Sequence, residues 1–263
     1  MVLWKYRRFI LANAFSDLRH RFSGSVGGYL WNVFIPLAQL LIFALIFSVL
    51  QGAHMTQGPQ NRFSFILFLC SGLLAWNAFA ETLVRACAAL VGNAGYLKKL
   101  PLPEQIFVAQ EATSGFFTAA ISIALFILFS ILIAGYGPFW TWLQALPLLL
   151  LFICFAYGLG LMLSCFNVFF RDVQPFMNVV VLLWFWLTPV VYFEDTFAKS
   201  PLVLKLLHAN PAYYFIDAFH QSLWLGQWVS RIDWLVCIGL TLVANLLAVT
   251  VVRRFRAELR DVL

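Results

Sequence analysis

Side chains able to do chemistry are few in this 263-residue chain and stand far apart. Glu81, Arg85 and Glu111 are the ionisable groups within or bordering its central apolar segments. Glu81 and Arg85 are four apart and can pair on one helix face. No carboxylate, lysine or histidine falls at the expected middle of an apolar segment. A charge there costs about 2.5–3.5 kcal/mol on insertion scales and is retained only for a function. Coupling to protons or sodium through a side-chain carboxylate is therefore not expected, although backbone carbonyl ion sites stay open. His20, His54, His208 and His220 lack metal-ligand spacing, and Cys70, Cys87, Cys154, Cys165 and Cys237 form no CxxC pair. The cysteines read as small buried hydrophobes, and no metal site is expected. No Gly-Lys dipeptide occurs, so the chain has no P-loop to cradle phosphates and is not expected to bind a cofactor itself. Any work done on a substrate draws its energy from another polypeptide.

These scattered groups sit in a very apolar background. Hydrophobic residues make up 63% of the chain and charged residues 11%, with a mean hydropathy of +0.88. A soluble domain is ordinarily about a quarter charged. The reading is an all-α integral membrane protein of one membrane domain, residues 29–263, preceded by residues 1–28 as an interfacial helix and connector. Six spans are expected at about 29–50, 63–84, 106–134, 142–166, 176–192 and 234–252, each near the roughly 20 residues a bilayer core requires. Val2, Leu3, Tyr6, Phe9 and Ile10 share one face of the opening segment, and Lys5, Arg8 and Arg19 another, as in a helix lying in the membrane interface. The first 22 residues show no clean signal-peptide core, so insertion by the first span is expected.

The net charge of +6 does not indicate nucleic acid, because the basic residues cluster at segment ends and meet lipid headgroups. Lys5, Arg7, Arg8, Arg19, Arg21, Arg85, Lys98, Lys99, Arg171, Arg253, Arg254, Arg256 and Arg260 fall on one side. Arg62, Lys199, Lys205 and Arg231 fall on the other. The positive-inside rule puts both termini in the cytoplasm, which an even number of crossings satisfies. Between the last two spans, Lys205, His208 and Asp217 interrupt an apolar stretch that Asn210-Pro211 splits in two. Two helices of about ten residues are too short to cross at about 1.5 Å per residue. They form a re-entrant external hairpin or an amphipathic cap; the re-entrant arrangement is preferred and requires a lumen nearby.

Three stretches carry motifs. Arg21-Phe-Ser-Gly-Ser25-Val-Gly27-Gly28-Tyr29-Leu-Trp31 leads into the first span, which continues through Phe34 and Pro36. The loop Asn93-Ala-Gly-Tyr-Leu97-Lys98-Lys99-Leu100-Pro101 reads as a short helix ending at prolines and presenting Leu97, Lys98 and Leu100 to the cytoplasm. Arg171-Asp172 opens the fifth span, which ends Pro189-Val-Val-Tyr192. In this order, with Asn210-Pro211 after them, these segments resemble the ABC-2 type permeases of bacterial polysaccharide exporters. Gly27 and His220 depart from that family's pattern, which favours a large aliphatic residue and an arginine there.

The resemblance implies a permease without an ATPase site of its own, in the bacterial cytoplasmic membrane. It implies a homodimer bound to two copies of a cytoplasmic ATPase that carry Mg-ATP. Lipid-linked polysaccharide of the O-antigen kind is the implied substrate. Leu97, Lys98, Lys99, Leu100 and Pro101 would couple to the ATPase, and Asn210 and Pro211 would sit in an external gate. Tyr29, Trp31, Phe34, Trp184, Trp186 and Tyr192 are assigned to the glycan path, because aromatic faces suit sugar C–H surfaces. Trp184 and Trp186 are about 200° apart around a helix, so one of them should face away from it. A permease for a small hydrophobic drug or lipid is the alternative. A polyprenyl-phosphate-dependent membrane transferase fits less well, because Glu104, Glu111 and Asp172 are dispersed.

Overall fold

The structure is a computed structural model that describes residues 2–20, 30–50, 63–99, 102–137, 139–197 and 200–262. Tyr29, Leu100 and Pro101 lie outside the described residues, as do Arg21, Ser25 and Gly28. Helices account for nearly all of the described chain. Two short ones, α1 (Val2–Lys5) and α2 (Arg7–His20), precede α3 (Trp31–Leu50) and α4 (Ser64–Gly92). Then come α5 (Ala94–Lys99), α6 (Gln105–Leu132), α7 (Ala145–Phe169) and α8 (Val173–Trp186). The chain closes with α9 (Pro201–Ala209), α10 (Pro211–Phe219) and α11 (Arg231–Val262).

Among the described residues, four helical stretches are long and apolar enough to cross a membrane: Ser64–Gly92, Gln105–Leu132, Trp140–Phe169 and Arg231–Arg256. The second expected span runs on past Val84 to Gly92 because Ala86, Ala89 and Leu90 continue a buried helical face against Val108, Leu161 and Ala248. Likewise the last helix continues to Val262, with Leu259 buried. The fifth expected span ends early. Its helix stops at Trp186, and Thr188, Pro189 and Val190 form a buried turn in place of the last helical turns expected up to Tyr192. Pro189 brings this about, since the residue before a proline is biased away from helix and proline offers no N–H.

The core is an aromatic stack that joins three helices. Phe79 of α4 lies parallel to Phe152 of α7 at 4.5 Å, and Phe152 to Phe215 of α10 at 4.6 Å. Trp184 of α8 meets Phe79 edge-on at 5.3 Å. Offset and edge-to-face pairs of this kind each contribute about 0.5–1.5 kcal/mol beyond their buried area. Gly160 lets α7 approach Ala86 of α4, and Gly158 sits against the α11 backbone at Ala244 and Asn245. Small residues at such crossings permit close van der Waals packing where water supplies no driving force.

At the start of the chain, Ile10 and Ala14 are buried against α6, with Leu3 and Tyr6 beside them, and Phe15 stacks on Phe117 at 4.6 Å. Phe9, expected on the apolar face, is exposed instead. On α3 and α8 a broad apolar face has no cover among the described residues, including Phe34, Leu41, Ile42 and Leu45 on one and Phe176, Leu182 and Leu183 on the other.

A Cβ at Gly158 would stand 2.9 Å from the backbone carbon of Ala244 and the nitrogen of Asn245. Gly158→Val should therefore push α7 from α11 and lower stability by about 1–3 kcal/mol. Thermal unfolding of the purified protein in detergent checks this, with Gly239→Ala, which meets no neighbour, as the control.

Candidate functional site

Two clusters of polar contacts are built around α4, one about Arg85 and Asn93 toward its C-terminal end and the other packed through Trp184 on Trp76 and Phe79 near its middle. At the end near the chain termini, Asn93 closes α4 by donating from Nδ2 to the Ala89 carbonyl at 2.8 Å, and α5 turns off at once. Leu97, expected to point outward with Lys98, packs instead against the cluster of Leu90, Val108 and Cys165. Tyr96, Lys98 and Lys99 are exposed. The short helix thus has an apolar foot and a basic, aromatic outer face.

Arg85 sits seven residues before the end of α4 and ties three elements together. Its Nη2 donates to Asp17 Oδ2 of α2 at 2.6 Å, and its Nε to Glu111 Oε2 of α6 at 2.6 Å. Ser114 Oγ donates to the same Asp17 oxygen at 2.6 Å. The expected partner Glu81 is present but more distant, at 3.7 Å. A bidentate-capable guanidinium serves two carboxylates at once, which a lysine would not do with the same geometry. A second tie joins Arg256 of α11 to the buried Glu104 at the start of α6, at 3.4 Å.

In the second cluster, Asn210 uses every hydrogen-bonding position of its amide. Its Oδ1 accepts from Trp184 Nε1 at 2.7 Å and from the Ala212 N–H at 3.0 Å, capping α10. Its Nδ2 donates to the Leu187 carbonyl at 3.1 Å and to Thr188 Oγ1 at 2.8 Å. Pro211 occupies the first position of α10, where its missing N–H costs nothing. The expected gate pair is thus a latch that fixes the frayed end of α8 to the break between α9 and α10.

Among the aromatic residues assigned to a path, Trp184 turns inward and Trp186 outward, 61% exposed. Tyr192 folds back to donate to the Trp186 carbonyl at 3.1 Å. Trp31 and Phe34 are exposed on α3 with ring centroids 6.1 Å apart. Among the described residues, no ring contact joins the α3 pair to Trp184, Trp186 or Tyr192.

Beside the latch, Glu194 accepts from Tyr213 Oη at 2.5 Å and pairs with His208 Nε2 at 2.9 Å. Gln221 Nε2 donates to Asp217 Oδ2 at 2.6 Å. His220 is buried, its ring 4.2 Å from that of Phe68 and against Gly72 of α4. Sequence reasoning missed the Asp17 and Glu111 contacts of Arg85 and the Glu194 cluster. A lone Asp in a basic amphipathic segment was the one available sign of the former.

Residues 9–224 match the ABC-2 type transporter family. The chain belongs to that family. Among curated ABC-2 relatives, the O-antigen export system permease protein RfbA of Klebsiella pneumoniae is 28% identical over 184 residues. That alignment covers 68% of this chain and 66% of the relative, just under two thirds of its length. The protein of the same name from Myxococcus xanthus is 26% identical over 82% of this chain and 80% of its own. Polysialic acid transport protein KpsM of Escherichia coli is 24% identical over 80% of this chain and 79% of its own. Within this ABC-2 chain, the matched region takes in the Arg85 ties to α2 and α6, α5 and the Asn210 latch.

Asn210→Leu strands Trp184 Nε1, the Leu187 carbonyl and Thr188 without that partner, at about 1–3 kcal/mol per unsatisfied buried group. Amide exchange across residues 201–224 should accelerate in this variant and less so in Asn210→Asp, which keeps both acceptor contacts.

Proposed function

We propose that this chain is the permease subunit of an ABC exporter that moves lipid-linked polysaccharide, of the O-antigen kind, across the bacterial cytoplasmic membrane. Two copies form the conduit, and two copies of a separate ATPase, each holding Mg-ATP, drive it. The observation that carries the energy-input half of this reading is α5. Its apolar foot is seated in the protein while Lys98 and Lys99 face out, beside a helix that the Arg85 ties hold to the interfacial α2. The glycan half follows from relatives named for export of O-antigen and transport of polysialic acid.

In this reading the chain crosses six times. The expected first span is α3, 20 residues or about 30 Å long. With 14 residues, α8 is about 21 Å long, short of the roughly 30 Å hydrocarbon core. The buried turn Thr188–Val190 and the inserted α10 make up the remaining depth, and non-helical backbone there is acceptable because protein satisfies it. Helix α10 buries Ala212, Phe215, Ile216 and Phe219 while α9 leaves Leu202 and Leu206 exposed, which favours a re-entrant hairpin over a cap lying flat. Both termini then lie in the cytoplasm with Lys98 and Lys99. The uncovered faces of α3 and α8, which carry Trp31, Phe34 and Trp186, turn toward the second copy and the conduit between them.

Co-purification tests the partnership. The unaltered chain should bring down a stoichiometric ATPase whose hydrolysis rises with lipid-linked glycan, and the pair Lys98→Glu with Lys99→Glu should weaken that capture and abolish surface glycan. Uphill transport by the chain alone in vesicles would overturn the reading.

A further inference from the structure

Where α1 and α2 lie against α6, a groove of about 350 Å³ opens that neither the Arg85 ties nor the Asn210 latch uses. It falls within the roughly 300–1,000 Å³ of ordinary ligand sites. Leu3 of α1 and Leu11 of α2 bound it, with Ala112 and Thr113 of α6 on one side and Leu150 and Ile153 of α7 on the other. Its α6 wall runs from Ala109 to Phe117, about 12 Å at the helical rise. No charged side chain lines it among the described residues, and Thr113 gives its hydroxyl proton to the Ala109 carbonyl at 2.7 Å. Past the groove, exposed Leu146 continues the side of α7 that Leu150 presents. The whole is a track for a hydrocarbon chain.

Acyl chains would enter any such hollow that faces a bilayer, and the charge beside this one sets it apart. Residues 2–16 contain Lys5, Arg7 and Arg8 and no acidic side chain. All three cations are exposed. Arg7 and Arg8 precede Leu11 by four and three residues, so both leave α2 on the side of the groove. Arg7 is held at the junction of α1 and α2, its guanidinium 4.3 Å from the Trp4 ring and its Nη1 donating to the Trp4 carbonyl at 3.3 Å. A guanidinium has five N–H donors, which leaves several for a phosphate. The groove lies along α6 and α7, apart from the α3 and α8 faces given to the conduit, so its occupant comes from the bilayer and not from the cargo.

We propose that this groove holds one acyl chain of an anionic phospholipid whose phosphate lies against Arg7 and Arg8. Basic patches beside spanning helices recognise such headgroups, and here the groove fixes where the lipid sits. The lipid completes the seating of α2, which Asp17 ties to Arg85 and Phe15 stacks on Phe117. It goes beyond the export reading and does not depend on which glycan is carried.

The test uses the full chain in detergent micelles. The probe is phosphatidylglycerol with a photoreactive diazirine in one acyl chain, and it should label the peptides spanning residues 109–117 and 150–157. Unlabelled phosphatidylglycerol should displace it at least about fivefold better than phosphatidylcholine of the same chains, the effect of one cation near a membrane surface. Arg7→Gln with Arg8→Gln should remove that advantage. Thr113→Phe and, from the facing wall, Leu150→Trp each fill the groove and should cut labelling of both peptides. The arginine variants leave both walls unaltered, so the site is tested even where a filled groove unfolds the chain. Equal displacement by the two phospholipids, an advantage that survives the loss of both arginines, or undiminished labelling of the filled grooves would overturn the site. Stronger displacement by a polyprenyl phosphate than by phosphatidylglycerol would overturn it too, by giving the groove to the cargo's carrier.

Discussion

A backbone that breaks inside a low-dielectric bundle must find its hydrogen bonds within the protein, and one side chain answers that demand here. The helical ladder of α8 ends at Trp186 and does not resume until α9, so carbonyls and N–H groups are left over at the break. The Asn210 amide meets the Leu187 carbonyl, the Thr188 hydroxyl, the Trp184 indole and the first free N–H of α10 together. No aliphatic residue can do this, and a carboxylate lacks the two donors. Because Trp184 also meets Phe79 edge-on, the latch is continuous with the aromatic stack through α4, α7 and α10. The break between α9 and α10 is thereby attached to the core.

The C-terminal part of α4 is built on charge instead of amide geometry. Arg85 faces three carboxylates, and the two shortest contacts come from α2 and α6, not from its own helix. Removing the guanidinium would delete the group that ties α2 and α6 to α4. Helix α4 spans 29 residues, about 43 Å, and links this charged cluster to the region of the latch. It is also the most buried of the long apolar helices, with 78% of its most apolar window inside the protein. With a charged clamp toward one end and the latch packed through Trp184 on its middle, this enclosed strut is a physical route for passing a push from one to the other.

Much of this was legible in the residue pattern, and the failures have specific causes. The long apolar runs identified α4, α6, α7 and α11, since a bilayer demands length and hydropathy that little else imitates. Asn210-Pro211 marked the break between α9 and α10, because proline begins a helix well and asparagine caps one. The end of α8 was misjudged because Val190 and Val191 are as apolar as the span before them, so hydropathy did not register the turn that Pro189 imposes. Glu81 and Arg85 were paired on spacing alone, and spacing within one helix carries no information about Asp17, 68 residues away. Leu97 was turned the wrong way for the same reason. Its foothold is made of Leu90, Val108 and Cys165, which only the packed helices bring together.

The uncovered faces of α3 and α8 complete the physical picture. Phe34 is 59% exposed, Leu45 69% and Leu182 61%, and such surface is costly in water yet neutral against hydrocarbon. Lipid would satisfy an aliphatic face without help. The positions of Trp31 and Trp186, at the ends of those helices and 43% and 61% exposed, have a further requirement, because an indole N–H seeks an acceptor. Headgroups, a second copy or a hydroxylated cargo each provide one, whereas acyl chains do not. A second copy brought against α3 and α8 would set both indoles near a shared axis while leaving the α4 strut and its two clamps inside each protomer. The moving parts and the wetted surface would then be separate structures joined through α8, whose inner face carries Trp184 to the latch and whose outer face carries Trp186 away from it.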